Sequence, residues 1–313
     1  MQVFVTGATG FIGSQLVPVL VALDHEVHVL TRDASRYDGP AAATVHEGDV
    51  LEPDSYREAM AGADAAYYLV HSMGGAGSFT DVDERAARAF ADVATEVGLP
   101  RIVYLGGLGG DEEELSEHLA SRRSVERTLA DGSAELTVLR AAVVLGAGGL
   151  SFELIRDLVK RLPVMVTPRW VETPCQPIAV TDVVAYLVGV LYVDATVGNT
   201  FEIGAPEVVS YRVLMEQVGA KLGGAPRIIS VPLLTPWLSS QWVGLVSDVP
   251  ASVAKPLIRG LSTPVVVNDI RIRSLVPIEP TPIGTAIERA VEGEGVNPDD
   301  VIGSLRAAGV LRE

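Results

Sequence analysis

The chain has 313 residues, of which 48% are hydrophobic, and a formal net charge of −16 at pH 7. This acidic balance argues against nucleic acid and anionic membranes as partners, because both carry negative charge. No apolar run approaches the roughly 20 residues needed to cross a bilayer, and no basic segment typical of a signal peptide opens the sequence. The single cysteine, Cys175, excludes an internal disulfide and is expected to be an inert thiol in a reducing compartment. We therefore predict a globular cytoplasmic protein whose partners are small molecules.

Short β-like runs alternate with helical periodicity in the first half of the chain, which is the pattern of a parallel sheet covered by helices. In chain order, the pattern predicts strand 2–6, helix 11–23, strand 26–31, strand 44–47, a helix from about residue 54, strand 65–70, helix 81–97, strand 101–105, helix 115–129 and strand 136–139. Six strands joined by right-handed crossovers form a doubly wound α/β Rossmann sheet with helices on both faces.

After about residue 146 the elements become shorter and prolines are frequent. The pattern predicts one helix over 181–193, capped by Thr181 or Asp182, and another over 210–222, capped by Ser210. No clean linker separates this half from the first. We therefore expect a smaller lobe that is interleaved with the main sheet.

Three glycines, Gly7, Gly10 and Gly13, lie between the first strand and the first helix. In a dinucleotide-binding turn the first glycine permits the tight turn and the second lets the backbone approach the pyrophosphate. The third lets the helix pack closely on the strand, and the anion lies at the positive helix N-terminus. The turn assigns cofactor contacts to Thr6, Gly7, Thr9, Gly10, Phe11, Ile12 and Gly13. An ordinary strand-to-helix turn is the alternative.

The ends of strands two and three carry the residues that distinguish the cofactors. Arg32 and Arg36 favour NADP(H) over NAD(H), because an arginine at this place accommodates the 2′-phosphate of the adenosine ribose. Asp33 keeps NAD open, since its carboxylate could bind the ribose hydroxyls or pair with Arg32. Asp49 and Val50 are candidates for the adenine, through the carboxylate and the next backbone N–H respectively. A turn aspartate that caps the following segment is the alternative for Asp49.

These motifs resemble those of atypical short-chain dehydrogenases/reductases of the NmrA-like, NAD(P)H-binding group. The T-G-x-x-G-x-x-G turn and the Gly48-Asp49-Val50 step carry the resemblance, together with the glycine-rich run 104–110 and the stretch 180–183. The match is strong over residues 1–205 and faint beyond. It implies a Rossmann fold, a bound NADP or NAD and, in many members, an oxidoreductase activity.

The catalytic pattern of that family is absent. Typical members place a Ser or Thr after strand five and a Tyr-x-x-x-Lys motif on the next helix, where the Tyr is the acid. Here strand five ends in Gly106-Gly107, and the helix has His118 and Arg122 at the two positions if the helices align. The i,i+4 spacing puts both on one helical face, so they can line one cleft. A histidine of ordinary pKa is a workable acid or base, and Arg122 could anchor a ribose or phosphate. An exposed pair without a catalytic role is the alternative.

His71 directly follows strand four, at the edge of the sheet that faces the cofactor in this fold. We expect it to meet the nicotinamide ribose or the substrate, as a binding or catalytic residue. Ser72 and the glycine-rich stretch 73–77 would form a loop whose backbone approaches a ligand. Tyr67, Tyr68 and Tyr104 are expected to pack in the core.

Two later segments are candidates for contact with the substrate. In the segment 163–178, Arg169 and Trp170 could touch a ligand, and a role of Trp170 in capping the core is the alternative. The stretch 233–246, with two tryptophans, is a candidate lid over an apolar substrate, whereas a dimer interface or a core helix explains it equally well. No metal site is predicted, and the sequence carries no signal for an oligomeric state.

The leading hypothesis is an NAD(P)-binding domain at 1–150 and a substrate-side lobe at 151–313, forming an NADP(H)-dependent oxidoreductase. It would move a hydride to or from a carbonyl or activated alkene, with His118 or His71 as the proton donor. The rival is an NAD(P)-binding redox sensor or assembly factor without turnover, which the missing Tyr-Lys pair favours. A sugar-nucleotide epimerase needs the same missing Tyr and ranks last.

Overall fold

The computed structural model describes residues 1–71, 79–109, 116–231, 258 and 260–312. Ser72, the stretch 73–77 and the candidate lid at 233–246 lie outside these described residues. The strands are β1 (Gln2–Thr6), β2 (Glu26–Thr31), β3 (Thr44–Glu47), β4 (Ala65–Tyr68), β5 (Arg101–Gly107), β6 (Glu135–Ala141), β7 (Val144–Leu145), β8 (Val164–Thr167), β9 (Pro174–Cys175), β10 (Ile178–Ala179), β11 (Thr200–Ile203), β12 (Val209–Ser210) and β13 (Arg227–Ser230). The helices are α1 (Gly13–Ala22), α2 (Arg57–Met60), α3 (Phe79–Glu96), α4 (Glu117–Ala130), α5 (Leu150–Arg161), α6 (Val180–Gly189), α7 (Tyr211–Lys221), α8 (Ile272–Leu275), α9 (Ile283–Glu292) and α10 (Pro298–Ala307).

The central sheet has seven parallel strands in the order β11-β6-β5-β4-β1-β2-β3. The chain runs outward from β1 to β3, crosses back to β4 beside β1, and then runs outward on the other side. The order therefore reverses between β1 and β4, which is the switch point where α/β sheets bind ligands. The predicted doubly wound Rossmann sheet is confirmed.

The seventh strand, β11, comes from the second half of the chain and was not predicted. It pairs with β6 in parallel, with Phe201 opposite Leu139. The four residues of β11 are too few for an alternation of apolar and polar side chains to predict a strand. They form a strand by pairing with the edge of β6. The second half thus contributes to the main sheet, as the interleaved lobe requires. A division of the chain at residue 150 stays a prediction.

Two predicted helices differ in the structure. The helix predicted from residue 54 is a 3-10 turn, Pro53–Ser55, followed by the single-turn α2. The helix predicted over 181–193 begins at Val180, and neither Thr181 nor Asp182 caps it. Asp182 instead accepts hydrogen bonds from the backbone N–H and the hydroxyl of Thr281, at 2.7 and 2.8 Å. The cap predicted at Ser210 is confirmed, because its hydroxyl accepts from the backbone N–H of Val213.

Helices cover both faces of the sheet. On one face α1, α6 and α10 pack together over the inward side chains of β1, β2 and β6. On the other face α2, α3 and α4 bury an aromatic cluster that includes Tyr68 and Tyr104. Tyr67 is also fully buried, and its hydroxyl donates to the carbonyl of Leu187 at 2.7 Å. The expected core positions of all three tyrosines are confirmed.

A second apolar core lies beside the sheet, between α5, α7 and α9. Cys175, in β9, is part of it, and burial raises the pKa of its thiol to about 12. Such a thiol stays protonated at neutral pH, which agrees with the inert role expected for it. None of the helices in the described part of the chain is long and apolar enough to span a membrane.

Candidate functional site

A cavity of about 460 Å³ opens at the carboxyl ends of β1, β4, β5 and β6, at the switch point of the sheet. The glycine turn forms one wall of the cavity. Helix α4 and the ends of β4 and β5 form another, and α5 and α7 enclose the far end. The lining residues used below are Gly7, Gly10, Phe11, Ile12, Gly13, His71, Tyr104, Leu105, Gly107, His118, Leu119, Arg122, Leu154, Ile155, Leu158, Tyr211, Met215, Leu261 and Val265.

The glycine turn has the geometry that a phosphate-binding turn requires. Gly7 has a φ of +70°, and a Cβ there would lie 2.7 Å from the carbonyl oxygen of Leu69. The N–H of Gly10 donates to the carbonyl of Gly7 at 2.9 Å and closes the turn. A Cβ on Gly13 would lie 2.2 Å from the same carbonyl oxygen, so only glycine lets α1 approach this closely. Gly7 and Gly13 therefore each have a steric reason for their place in the turn.

The start of α1 suits an anionic ligand. Its N-cap residue, Ile12, provides no side-chain hydrogen bond, so the first N–H groups of the helix have no side-chain cap. The N–H groups of Ser14 and Gln15 donate to the carbonyls of Gly10 and Ile12, and the positive end of the helix dipole favours a phosphate beside them. The residues present thus fit a dinucleotide whose pyrophosphate lies against this turn.

One of the predicted cofactor residues, Thr6, has another task in the structure. The hydroxyl of Thr6 is buried, donates to the carbonyl of Tyr67 at 3.1 Å and accepts from the N–H of Leu69 at 3.2 Å. The Thr6 side chain therefore fixes the turn to β4 and does not line the cavity. Thr9 is exposed, whereas Phe11 and Ile12 form part of the cavity wall.

The end of β2 leaves an arginine available. Asp33 caps a short 3-10 turn, since its carboxylate accepts from the N–H and the hydroxyl of Ser35 at 3.0 and 2.6 Å. These hydrogen bonds lower the pKa of Asp33, with the hydroxyl as the larger cause. Arg32 is exposed, and no residue in the described ranges forms an ion pair or hydrogen bond with it. The pairing of Asp33 with Arg32 that the sequence left open is not present.

The turn after β3 is held by local hydrogen bonds. A carboxylate oxygen of Asp49 accepts from the N–H of Leu51 at 2.9 Å, which is the turn-capping role considered for it. The carbonyl of Val50 accepts from the buried hydroxyl of Tyr56 at 3.2 Å. Contacts of Asp49 and Val50 with an adenine stay predictions.

The structure brings His71 and His118 together in the cavity wall. Nε2 of His71 lies 3.2 Å from Nδ1 of His118, and the ring centroids are 5.0 Å apart. Nδ1 of His71 lies 2.8 Å from Oδ2 of Asp83, a side chain that is only 3% exposed. The same oxygen accepts from the hydroxyl of Ser121 at 3.1 Å. Asp83, on α3, was not predicted as a site residue, and it extends the contact between the two predicted histidines into a chain of three side chains.

The two imidazoles titrate outside the ordinary range of histidine. Burial lowers the pKa of His118 to about 3, and the charges of Arg122 and His71 add to this effect. Burial also lowers the pKa of His71, and its hydrogen bond to Asp83 opposes the shift. His118 therefore titrates well below the range in which a histidine is a workable acid or base at neutral pH. His118 is neutral at physiological pH, and His71 is the ring better placed to hold a proton.

Arg122 lies one turn after His118 and is not an exposed surface residue. Its guanidinium donates to the carbonyl of Leu105 at 2.5 Å and lies 5.6 Å from the ring centroid of Tyr104. Its Nε is buried without a hydrogen-bond partner among the described residues. A buried donor without a partner is costly unless something else accepts from it. Other parts of the Arg122 side chain line the cavity, so its charge acts on a ligand bound there.

Glycine occupies the position at which the family usually has a Ser or Thr. Gly107, at the end of β5, packs against α4, where an added Cβ would lie 2.7 Å from Cδ2 of Leu119, the end of a flexible side chain. Gly107, His118 and Arg122 all line the cavity.

The far end of the cavity is apolar. It is lined by Leu154, Ile155, Leu158, Tyr211, Met215, Leu261 and Val265. Arg122 is the only lysine or arginine among the described residues that line the cavity, and it lies at the other end. Trp170 is buried against Tyr211, with ring centroids 6.3 Å apart, and Arg169 is exposed. Neither lines the cavity, so Trp170 has the core role considered for it.

Residues 7–155 match a protein family described as NAD(P)H-binding. The matched segment begins at the glycine turn and extends past β6 into α5. Together with the seven-stranded parallel sheet, this match shows an NAD(P)H-binding domain with a Rossmann fold over this part of the chain. The resemblance stated from the motifs is confirmed.

Individual relatives of this kind have different roles. The chain is 27% identical over 269 residues to the mitochondrial NADH dehydrogenase (ubiquinone) 1 alpha subcomplex subunit 9 of Arabidopsis thaliana, covering 82% of this chain and 67% of that protein. It is 26% identical over 170 residues to a ceramide reductase of Caulobacter vibrioides, covering 52% of each protein. Substantial parts of both relatives thus lie outside the match.

The fold is similar to that of a triphenylmethane reductase from a Citrobacter species, which was crystallised with NADP(H). The two structures superpose with a TM-score of 0.72, covering 93% of this chain and all of the reductase, at 15% sequence identity. At this identity the likeness shows the fold alone.

Proposed function

We propose that the protein is an NADP(H)-dependent oxidoreductase that acts on a carbonyl or activated alkene of an apolar substrate. The observation that carries the proposal is the position of the His71–His118 pair in the same cavity as the glycine turn. A bound nicotinamide cofactor would supply or accept the hydride. The chain would bind the pyrophosphate at α1, exclude water with the apolar far end, and exchange a proton with the substrate through a histidine. A cytoplasmic location remains part of the proposal.

The direct test is an assay of NADPH oxidation by the purified protein with a panel of apolar ketones, β-keto esters and enones. We expect oxidation that depends on the substrate, and preference for substrates with an alkyl chain or fused rings. Tight binding of NADPH together with no oxidation across the panel would contradict the proposal.

The preference for NADP(H) rests on Arg32, which is exposed and unpaired within the described part of the chain. We expect Arg32→Gln to weaken NADPH binding by about tenfold or more, because a charge-assisted contact with the 2′-phosphate is lost. Binding of NADH should stay unchanged, since NADH lacks that phosphate. Fluorescence titration with both nucleotides measures the effect.

The matched control for this prediction is Arg306→Gln, which removes an exposed arginine on α10. Arg306→Gln should change neither the NADPH affinity nor the NADH affinity, although it alters the net charge by the same amount as Arg32→Gln. Equal losses of NADPH and NADH affinity in R32Q would contradict a phosphate contact and favour a general effect on the turn.

The apolar substrate follows from the far end of the cavity, where alkyl and aromatic side chains face the space. Such a lining binds an apolar group and penalises a phosphate or sugar, which would lose its hydrogen bonds to water. The ceramide reductase among the relatives is named for a lipid substrate, which agrees with this class. The lining also argues against a sugar-nucleotide epimerase.

A substitution at Met215 tests whether the far end of the cavity binds the apolar part of the substrate, without a change in side-chain volume. We expect Met215→Gln to raise KM for a long-chain ketone by about tenfold or more, since an amide without partners opposes burial of the alkyl chain. The kcat for a short ketone and the NADPH affinity should stay near the wild-type values. Steady-state kinetics with ketones of increasing length checks the expectation.

Met215→Leu is the control at the same position, because it keeps the wall apolar at similar volume. Its KM values should remain close to the wild type, and thermal unfolding should show that both variants fold. If M215Q and M215L bind the long-chain ketone equally well, the far end of the cavity is not the substrate site.

A second candidate is an NAD(P)-binding protein without turnover, such as a redox sensor or an assembly factor. The observation that favours it is the neutral state of His118, which lacks the charge of a simple acid catalyst. The relative that is a subunit of a mitochondrial NADH dehydrogenase agrees with this class. Calorimetric titration with NADP⁺ and NADPH would support sensing if the two affinities differ greatly and no substrate is turned over.

A further inference from the structure

We propose that Asp83, His71 and His118 form a proton relay, in which Asp83 positions His71 and the two histidines exchange one proton. The inference rests on the proposed oxidoreductase function and deepens it. It assigns the role of general acid to the rings of His71 and His118 together, and it explains how the neutral ring of His118 can donate a proton. Asp83 acts through His71 and is a positioning residue.

The contacts determine which nitrogens carry protons. An ionised carboxylate only accepts, so Nδ1 of His71 must donate to Oδ2 of Asp83 across their 2.8 Å contact. Nε2 of a neutral His71 is then an acceptor, and Nδ1 of His118 donates to it across 3.2 Å. The nitrogen that remains on His118 is Nε2, which carries a lone pair. We call this state, in which both rings are neutral, the unloaded state. In it, Nε2 of His118 can accept a proton from an alcohol.

When the pair of histidines binds one additional proton, the hydrogen bond between them reverses, so that His71 becomes the donor and His118 the acceptor. When His71 carries protons on both nitrogens, it donates to Asp83 and to Nδ1 of His118. His118 then carries its proton on Nε2, and it becomes a donor while remaining neutral. The positive charge lies on His71, next to the buried carboxylate.

The surrounding charges favour this distribution. From α3, Asp83 stabilises a proton on His71, and from α4, Arg122 disfavours charge on either ring. Among the residues that the structure describes, Tyr68 on β4 and Tyr104 on β5 also interact with Asp83, and both stay neutral because burial raises the pKa of each hydroxyl. His118 is thus the ring that transfers the proton, and His71 is the ring that stores the charge.

The reductive step is balanced with one hydride and one proton. The carbonyl carbon gains a hydride from the reduced nicotinamide cofactor, and the carbonyl oxygen gains the proton on Nε2 of His118. His118 recovers a proton at Nδ1 from Nε2 of His71, and His71 returns to its neutral state beside Asp83. The products are an alcohol and the oxidised cofactor. Oxidation of the alcohol follows the same path in reverse.

The relay can be tested by long-range ¹H–¹⁵N NMR of the histidine rings in the full chain, without substrate and without turnover. In the wild type at neutral pH, we expect both His71 and His118 to carry the proton on Nδ1. On acidification the first additional proton should appear on His71. Signals are assigned with His71→Gln and His118→Gln.

Asp83→Asn removes the charge and keeps the size of the side chain. We expect the titration of His71 to move to lower pH, because the carboxylate that raises its pKa is lost. Ser121→Ala is the matched control, since it removes the hydrogen bond that the Ser121 hydroxyl donates to Asp83 and should leave both tautomers unchanged. The wild-type tautomers decide the question even if the Asp83 variant does not fold.

Two results would overturn the relay: a proton on Nε2 of His118 in the unloaded wild type, or a titration of His71 that D83N leaves in place. In activity assays, D83N should lower the reduction rate at neutral pH by about tenfold or more while the affinity for NADPH stays unchanged. Because the NMR signature needs no turnover, an inactive protein with the expected tautomers would contradict the oxidoreductase and leave the relay standing.

Discussion

Replacing Gly13 by alanine is expected to weaken the binding of NADP(H) by about tenfold or more, because the helix N-terminus that would hold the phosphates must move. The added Cβ would lie 2.2 Å from the carbonyl oxygen of Gly7, and the other nearest atoms are backbone atoms of Gly7 and Ala8, so no flexible group can yield. Either α1 moves away from the turn or the turn opens. Fluorescence or calorimetric titration with NADPH measures the loss, and thermal unfolding measures the accompanying loss of stability.

Gly284→Ala is the matched control for this substitution. Gly284 lies in α9, and a Cβ there would meet no atom within 4 Å. The control should bind NADPH like the wild type, with unchanged or slightly higher stability because alanine favours helix. Wild-type affinity in a folded G13A protein would show that the glycine turn does not hold the cofactor.

Replacing His118 by glutamine should lower the rate of substrate reduction by roughly 10²–10⁴, the usual contribution of a positioned acid or base. The physical reason is that glutamine can donate a hydrogen bond but cannot pass a proton on. The affinity for NADPH should change little, because the phosphate turn is formed by other elements. Steady-state kinetics together with nucleotide titration separates the two effects.

His46→Gln serves as the control for the loss of a histidine. His46 lies on β3, where its Nε2 is 2.9 Å from Nδ1 of His28, and it does not line the cavity. This variant should retain the wild-type rate. A rate that H118Q leaves unchanged would remove His118 from the reaction and direct attention to His71 or to the function without turnover.

The cofactor half of the site could be predicted from the sequence because its determinants are local. The spacing of Gly7, Gly10 and Gly13 specifies both a backbone path and the ligand that fits it, and the strands around it have clear apolar patterns. His71 and His118 were found for a related reason, since each lies at a defined position of a strand end or a helix.

Asp83 was missed because its burial depends on contacts between distant segments. In the sequence it lies among the charged residues at the start of α3 and resembles one side of a solvated helical face. His71 is 12 residues away and Ser121 is 38 residues away, and only the fold brings them to the carboxylate. One signal was present, because Asp83 is in helical register with Ala87 and Phe90, both buried. A carboxylate on the apolar face of a helix indicates a buried partner.

The other differences between the sequence predictions and the structure also arise from contacts between distant segments. Thr6, Asp182 and Trp170 each had a local interpretation as a ligand contact or a cap, and each instead has a partner far away in sequence. Strand β11 is four residues long and depends on the edge of β6. Short elements and buried polar pairs are specified by tertiary contacts, which a pattern of neighbouring residues does not contain.

The packing of α1 has a consequence for the order of events on the ribosome. This helix, which follows the glycine turn, packs against both α6 and α10, and the N–H of Val296 donates to the side chain of Gln15 at 2.7 Å. Gln15 on α1 is thus covered by a segment that is made 281 positions later. During translation the outer face of α1 stays bare until α10 has emerged, so the nascent chain cannot complete its nucleotide-binding half early. We expect capture of the dinucleotide to come late in folding, after α10 has docked on α1.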